Sequence, residues 1–132
     1  MTQRRVVITG LGMLSPVGNN VSDSWKNILE GKSGAKPITK FDASNFETTF
    51  AATVEADIES FLDKKEIRRT DPFIQYGLIA SEECIRDSGV ELDKIDLTKF
   101  GVSIGSGIGG IGTIEENKIK LIESGPKKIS PF

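Results

Sequence analysis

The residues with chemistry to offer fall in three places. The run Gly105-Ser106-Gly107-Ile108-Gly109-Gly110-Ile111-Gly112 puts five glycines in eight positions. Such a backbone can turn sharply, adopt φ > 0 and admit a surface that a Cβ would block. Within it, Gly105-x-Gly107-x-x-Gly110 satisfies the pattern that holds a dinucleotide pyrophosphate when it follows a strand and opens a helix. Cys84, the one cysteine, is the only thiol available as a nucleophile. Lys64-Lys65-Glu66-Ile67-Arg68-Arg69 and Pro126-Lys127-Lys128 gather positive charge in a chain that carries 17 basic against 19 acidic residues.

Each candidate meets a restriction. The dinucleotide pattern lacks an acidic residue at a strand end about 20 residues later; that region, Glu123-Ser124-Gly125-Pro126, is a helix stop. Gly10-Leu11-Gly12 also fails, with Ser15 where a third glycine belongs. Cys84 lies in Ser81-Glu82-Glu83-Cys84-Ile85-Arg86, where neighbouring carboxylates raise rather than lower a thiol pKa, so a small packed residue is expected. The chain has no histidine, which leaves no imidazole base and no zinc site. No metal and no cofactor is expected. A single cysteine excludes an intramolecular disulfide framework. The acidic balance, without aromatics between the basic residues, argues against nucleic acid, and a solvated face is the default for a charge run.

The elements that must position these residues alternate. Val6-Val7-Ile8-Thr9 is a β-branched run that predicts a strand buried on both faces of a parallel sheet. Asn20 or Ser22 caps a short helix bearing Val21, Trp25, Ile28 and Leu29, with Gly31 as its stop. A Lys, Ser, Gly and Pro-rich loop is expected to about residue 45, then a weaker strand at Phe50–Val54 and a short amphipathic turn at Ile58–Leu62. Asp71-Pro72 opens the clearest helix and Gly89 closes it. Two apolar stripes, Phe73, Tyr76, Gly77, Ala80 and Cys84 beside Ile74, Leu78 and Ile85, predict burial of its first half, with Glu82, Glu83, Arg86 and Asp87 facing water. Phe100–Ile104 is the next strand, and Ile111–Ile122 marks a helix that Gly125-Pro126 ends. At 132 residues, 37% hydrophobic and 27% charged, this is a soluble composition for about one small domain. No apolar run reaches the roughly 20 residues of a membrane span or forms a signal-peptide core, so a cytoplasmic location is expected.

Four separated motifs carry a resemblance. Arg4-Arg5-Val6-Val7-Ile8-Thr9-Gly10-Leu11-Gly12-Met13-Leu14-Ser15-Pro16-Val17-Gly18, Asp71-Pro72-Phe73-Ile74-Gln75-Tyr76-Gly77, the Gly105–Asn117 segment and Gly125–Phe132 together resemble the beta-ketoacyl-acyl-carrier-protein synthases, in particular their type II elongating branch. The resemblance implies an α/β, thiolase-like fold of α-β-α-β-α layers, of which residues 1–132 would be the amino-terminal part of the first half, an incomplete domain. It implies decarboxylative Claisen condensation in fatty-acid synthesis, through a cysteine nucleophile and two histidines that this chain lacks. The expectation is therefore a portion of a longer enzyme with no catalytic residue of its own.

By the same resemblance Gly107, Ile108 and, more weakly, Phe132 belong to an acyl pocket. Lys65, Arg68, Arg69, Lys127 and Lys128 would form the basic rim on which an acidic acyl carrier protein docks. The remainder of the subunit and a second copy in a homodimer are the other partners implied. Two alternatives stand beside this: a non-catalytic, chain-length-factor-like subunit of the same fold, and a dinucleotide-binding dehydrogenase domain.

Overall fold

The structure is a computed structural model that describes residues 3–129. Its elements are α1 (Val21–Leu29), β1 (Ala35–Pro37), β2 (Phe50–Ala52), α2 (Lys64–Ile67), α3 (Pro72–Ser88) and α4 (Ile111–Ser124), with single 3-10 turns at Ile58–Ser60, Leu92–Lys94, Leu97–Lys99 and Pro126–Lys128. The chain divides into two compact units: one holds the residues up to Asp57 with Ile79–Glu91, the other Ile58–Leu78 with the residues from Leu92 onward.

In the first unit the amino-terminal segment is fastened to the second half of α3. The Leu11 amide donates to Asp87 at 2.8 Å, the Met13 amide to Glu83 at 2.8 Å, and the Cys84 thiol to the Gly10 carbonyl at 3.4 Å. The pairing works because the two spacings agree. Carboxylates four residues apart on a helix are about 6 Å apart along its axis, and alternate amides of an extended chain are about 6.6 Å apart. The backbones come so close that an added Cβ would lie 2.3 Å from the Cys84 carbonyl oxygen at Gly10 and 1.8 Å from that of Ala80 at Gly12. Glycine is required at both places.

Asn20 caps α1 by accepting from the Asp23 amide at 2.7 Å, and Gly31, at φ 68°, ends it as expected. The Ser24 side chain is wholly buried; its hydroxyl lies 3.1 Å from the Gly18 carbonyl oxygen and 3.0 Å from the Ser15 hydroxyl. Asn27 donates to the Val17 carbonyl at 2.6 Å, so α1 grips the Ser15–Gly18 turn through polar groups. Apolar residues face outward: Leu11, Met13, Val21, Trp25, Ile28 and Leu29 line an open cleft of about 780 Å³.

The sheet differs from expectation. Among the described residues it is a two-stranded antiparallel pair, β1 with β2, in register Ala35 to Ala52, rather than a parallel sheet. β1 falls inside the predicted loop. Val6–Thr9 and Phe100–Ile104 take no strand assignment, and Val6, Val7 and Ile8 are 89, 74 and 82% exposed. A strand needs a neighbour to accept its ladder, and the described residues offer these two segments none.

The second unit is built on short helices and their caps. Asp63 opens α2 by accepting from the Lys65 and Glu66 amides at 2.7 and 2.9 Å. The stripes predicted on α3 are corrected here: Phe73, Ile74 and Leu78 are 39 to 41% exposed, whereas Gln75 is buried at 6%; in the first unit its helical neighbour Ile79 is buried at 4%. Thr98 donates its hydroxyl and amide to Asp96, holding that exposed carboxyl below the usual range, with Lys99 contributing.

Candidate functional site

Two glycines of the glycine-rich segment, Gly109 and Gly110, are accounted for by the chain's own side chains. Gly109, at φ 80°, occupies a conformation that side-chain-bearing residues rarely adopt, and an added Cβ there would meet the Phe73 ring at 3.2 Å. At Gly110 an added Cβ would lie 1.9 Å from an Asp71 carboxylate oxygen. Gly110 is the N-cap residue of α4 and brings no capping side chain. Asp71 stands beside this end of the helix: its carboxylate accepts the hydroxyl of Thr113 in the first turn of α4. A negative charge in the first turn of a helix is favoured by the helix dipole. A pyrophosphate at this helix start would meet the Asp71 carboxylate beside Gly110 and Thr113, and that repulsion counts against the dehydrogenase alternative.

Gly105, Gly107 and Gly112 behave differently. Nothing lies within 4 Å of a Cβ built at any of them. Ile108, between Gly107 and Gly109, is 73% exposed. It is a large apolar side chain presented on a loop rather than a packed core residue. Ile104, Gly105 and Ser106 on one side, with Phe73, Tyr76 and Leu78 of α3 among those on the other, line an apolar cleft of about 410 Å³ immediately before it in sequence. Phe132 lies outside the described residues.

The basic candidates divide into two groups. Lys65 stands in α2, Arg68 is its C-cap residue and Arg69 follows; all three are exposed on one short corner. Lys127 and Lys128 are exposed on the turn Pro126–Lys128, set off from α4 by Gly125 at φ 77°. Lys64 pairs with Glu59 at 3.4 Å, both well exposed.

Cys84 is partly buried on α3, its thiol against the Gly10 carbonyl. That is the packed position expected of it. Among the described residues no three His, Cys, Asp or Glu side chains stand together as a metal site, and no helix is long and apolar enough to cross a membrane.

Sequence reasoning missed three residues that hold this arrangement: Gln75, whose amide closes the corner after α2; Thr113, the partner of Asp71; and Glu83, which was expected to face water. Gln75 could have been found as a polar residue set one helical turn before Ile79. Thr113 and Glu83 carry no local signal, because their partners lie 42 and 62 to 70 residues away in the chain.

The chain is similar to known proteins along its whole length. The chain is 53% identical over its whole length to the 3-oxoacyl-[acyl-carrier-protein] synthase 2 of Coxiella burnetii, covering 32% of it, and 51% identical to that of Vibrio cholerae, again covering 32%. A Staphylococcus aureus protein of the same name is 42% identical over 98% of this chain and is covered to 31%. The chain therefore spans about a third of the length of the curated relatives it matches. Two solved structures share the fold: the ishigamide ketosynthase/chain length factor, at 25% identity and TM-score 0.74 over 98% of this chain and 33% of that one, and a chain from a type II PKS acyl-carrier protein in complex with its ketosynthase bound to the hexaketide, at 27% identity and TM-score 0.77 over 98% of this chain and 35% of that one. A family model described as beta-ketoacyl synthase, N-terminal domain, matches residues 3–132, and the chain belongs to that family.

Proposed function

We propose that this chain serves a 3-oxoacyl-acyl-carrier-protein synthase that lengthens acyl chains by decarboxylative condensation with a malonyl-carrier unit. The observation that carries the proposal is 42 to 53% identity along essentially the whole chain to relatives bearing that name. In this reading the condensation runs on a cysteine nucleophile and histidines contributed from outside this chain. The acyl group passes to that cysteine, loss of carbon dioxide from the malonyl unit generates the carbanion, and the carbanion displaces the thiol to give the 3-oxoacyl thioester. The chain's own share is recognition and shape.

Ile108 is the residue assigned to the acyl-pocket wall, with Gly107 beside it. Its exposure and its glycine neighbours support this, since a side chain on such a loop can move aside at little steric cost. Lys65, Arg68, Arg69, Lys127 and Lys128 are assigned to the docking rim for an acidic carrier, acting mainly on association rate. Phe132 is kept as a weaker pocket candidate.

The layered thiolase-like architecture, with this chain in its first half, is part of the same proposal. Val6–Thr9 and Phe100–Ile104 become paired strands there, and their exposed apolar side chains, like the cleft beside Trp25, are covered by the rest of the subunit. A homodimer in the cytoplasm completes it.

A chain-length-factor-like role is the second reading, favoured by the likeness to the ishigamide ketosynthase/chain length factor, though at 25% identity. One experiment separates the two. The protein containing this chain, purified without any second subunit, is given acyl-carrier and malonyl-carrier substrates. An acyl product two carbons longer supports the synthase. Product only after addition of a separate ketosynthase subunit supports the second reading.

A further inference from the structure

The α2–α3 corner contains a device that the docking proposal does not use. Gln75 is 6% exposed. Its Nε2 donates to the Ile67 carbonyl at 3.1 Å and to the Thr70 carbonyl at 2.7 Å. These two carbonyls stand immediately before Arg68 and immediately after Arg69, so one side-chain amide holds the backbone on both sides of the arginine pair. Both of its donors are used. The hydroxyl of Thr70 tightens the same corner by donating to the Glu66 carbonyl at 2.6 Å, and Asp63 fixes its other end at the Lys65 and Glu66 amides.

A four-residue helix has almost no stability of its own, because nucleation costs more than so few bonds return. Side-chain bonds from outside must therefore set its direction. The Ile67 carbonyl, at the end of α2, belongs to the group that a helix leaves without internal partners; Gln75 is the partner it finds, and the same amide ties down the Thr70 carbonyl beyond the helix. Burial makes the amide rigid, while the cations it governs stay exposed.

We infer that Gln75 is a positioning residue for the basic corner: it fixes the direction in which Lys65, Arg68 and Arg69 are presented to an acidic carrier. The inference rests on the docking role proposed above. It predicts a loss of recognition without a loss of chemistry, since Gln75 acts through the cations and not on the reacting thioester.

The test uses the intact protein with two substrates, a carrier-bound acyl thioester and a small carrier-free one. Gln75→Met keeps the length of the side chain and removes both donors. The expected result is a Michaelis constant raised about threefold to tenfold for the carrier-bound substrate, with kcat and carrier-free kinetics unchanged. In a background of Lys65→Ala, Arg68→Ala and Arg69→Ala the same substitution should add nothing, because residues that act through one another are non-additive. Thr70→Val, which removes only the hydroxyl bond, should give a smaller rise of the same kind, and it carries the test should Gln75→Met yield too little folded protein. If the triple variant raises the carrier-bound constant but neither Gln75→Met nor Thr70→Val does, the inference fails and the docking role stands. It fails also if both substrates suffer equally, or if the Gln75→Met effect persists in the triple background. A triple variant with an unchanged carrier-bound constant overturns the docking role and this inference together.

Discussion

Glu83 joins two parts of the chain through the amide of Met13: one carboxylate oxygen accepts that N–H at 2.8 Å, while the other accepts the N–H of Val21, the first residue of α1, at 2.9 Å. A single side chain on α3 thus fixes both the amino-terminal segment and the start of the helix that follows it. Glu83→Ala removes both bonds, leaving the exposed Met13 amide to water and the half-buried Val21 amide short of an acceptor, and should cost about 1 kcal/mol. Glu83→Gln keeps one acceptor and should cost less. Urea unfolding of the intact protein measures both, and equal stability of Glu83→Ala and wild type would contradict the assignment.

The glycines separate into those that pack and those that do not. Gly12→Ala drives a Cβ to 1.8 Å from the Ala80 carbonyl oxygen and should abolish soluble protein or lower stability by more than about 3 kcal/mol. Gly107→Ala meets nothing within 4 Å in this chain, so its melting temperature should stay near wild type while its preference for acyl length changes. A comparable loss of stability in both would contradict the division.

Ile108→Phe should shorten the longest acyl chain accepted, because added bulk on the proposed pocket wall would subtract from chain volume. Rates across a series of acyl lengths decide the matter. An equal loss at every length would place Ile108 outside the pocket.

Cys84→Ala should leave turnover of the intact protein nearly unchanged and cost at most a small amount of stability, as the thiol is a weak donor. The isolated 132-residue polypeptide should form no condensation product at all. A loss of several orders of magnitude in Cys84→Ala, or product from the isolated polypeptide, would return the chemistry to this chain.

What the sequence made legible was local. Asn20, Gly31, Gly89 and Gly125 mark their helix ends where capping chemistry puts them, and Ile111–Ser124 follows from its spacing of apolar residues. The pairing of strands was not legible, because β-branched residues at Val6–Thr9 state a preference for burial but not which neighbour supplies the ladder. Nor was the antiparallel pairing of Ala35–Pro37, whose lysine and proline read as loop. In the candidate site the basic corner stood out by residue type, and Ile108 only through the family resemblance. Gln75, which holds the basic corner, and Thr113, the partner of Asp71, did not, since their partners are backbone carbonyls and a carboxylate 42 residues away that no local pattern announces.

If this chain contributes recognition to a condensation whose bond-making groups lie elsewhere, charge reversal of its basic corner should separate carrier binding from chemistry. Lys65, Arg68 and Arg69 are changed together to glutamate in the intact protein, and kinetics are measured with carrier-bound and carrier-free thioesters at several salt concentrations. The Michaelis constant for the carrier-bound substrate should rise about tenfold or more, with carrier-free turnover retained and wild-type carrier binding weakened by salt. Equal loss with both substrates, or wild-type carrier binding indifferent to salt, would contradict it.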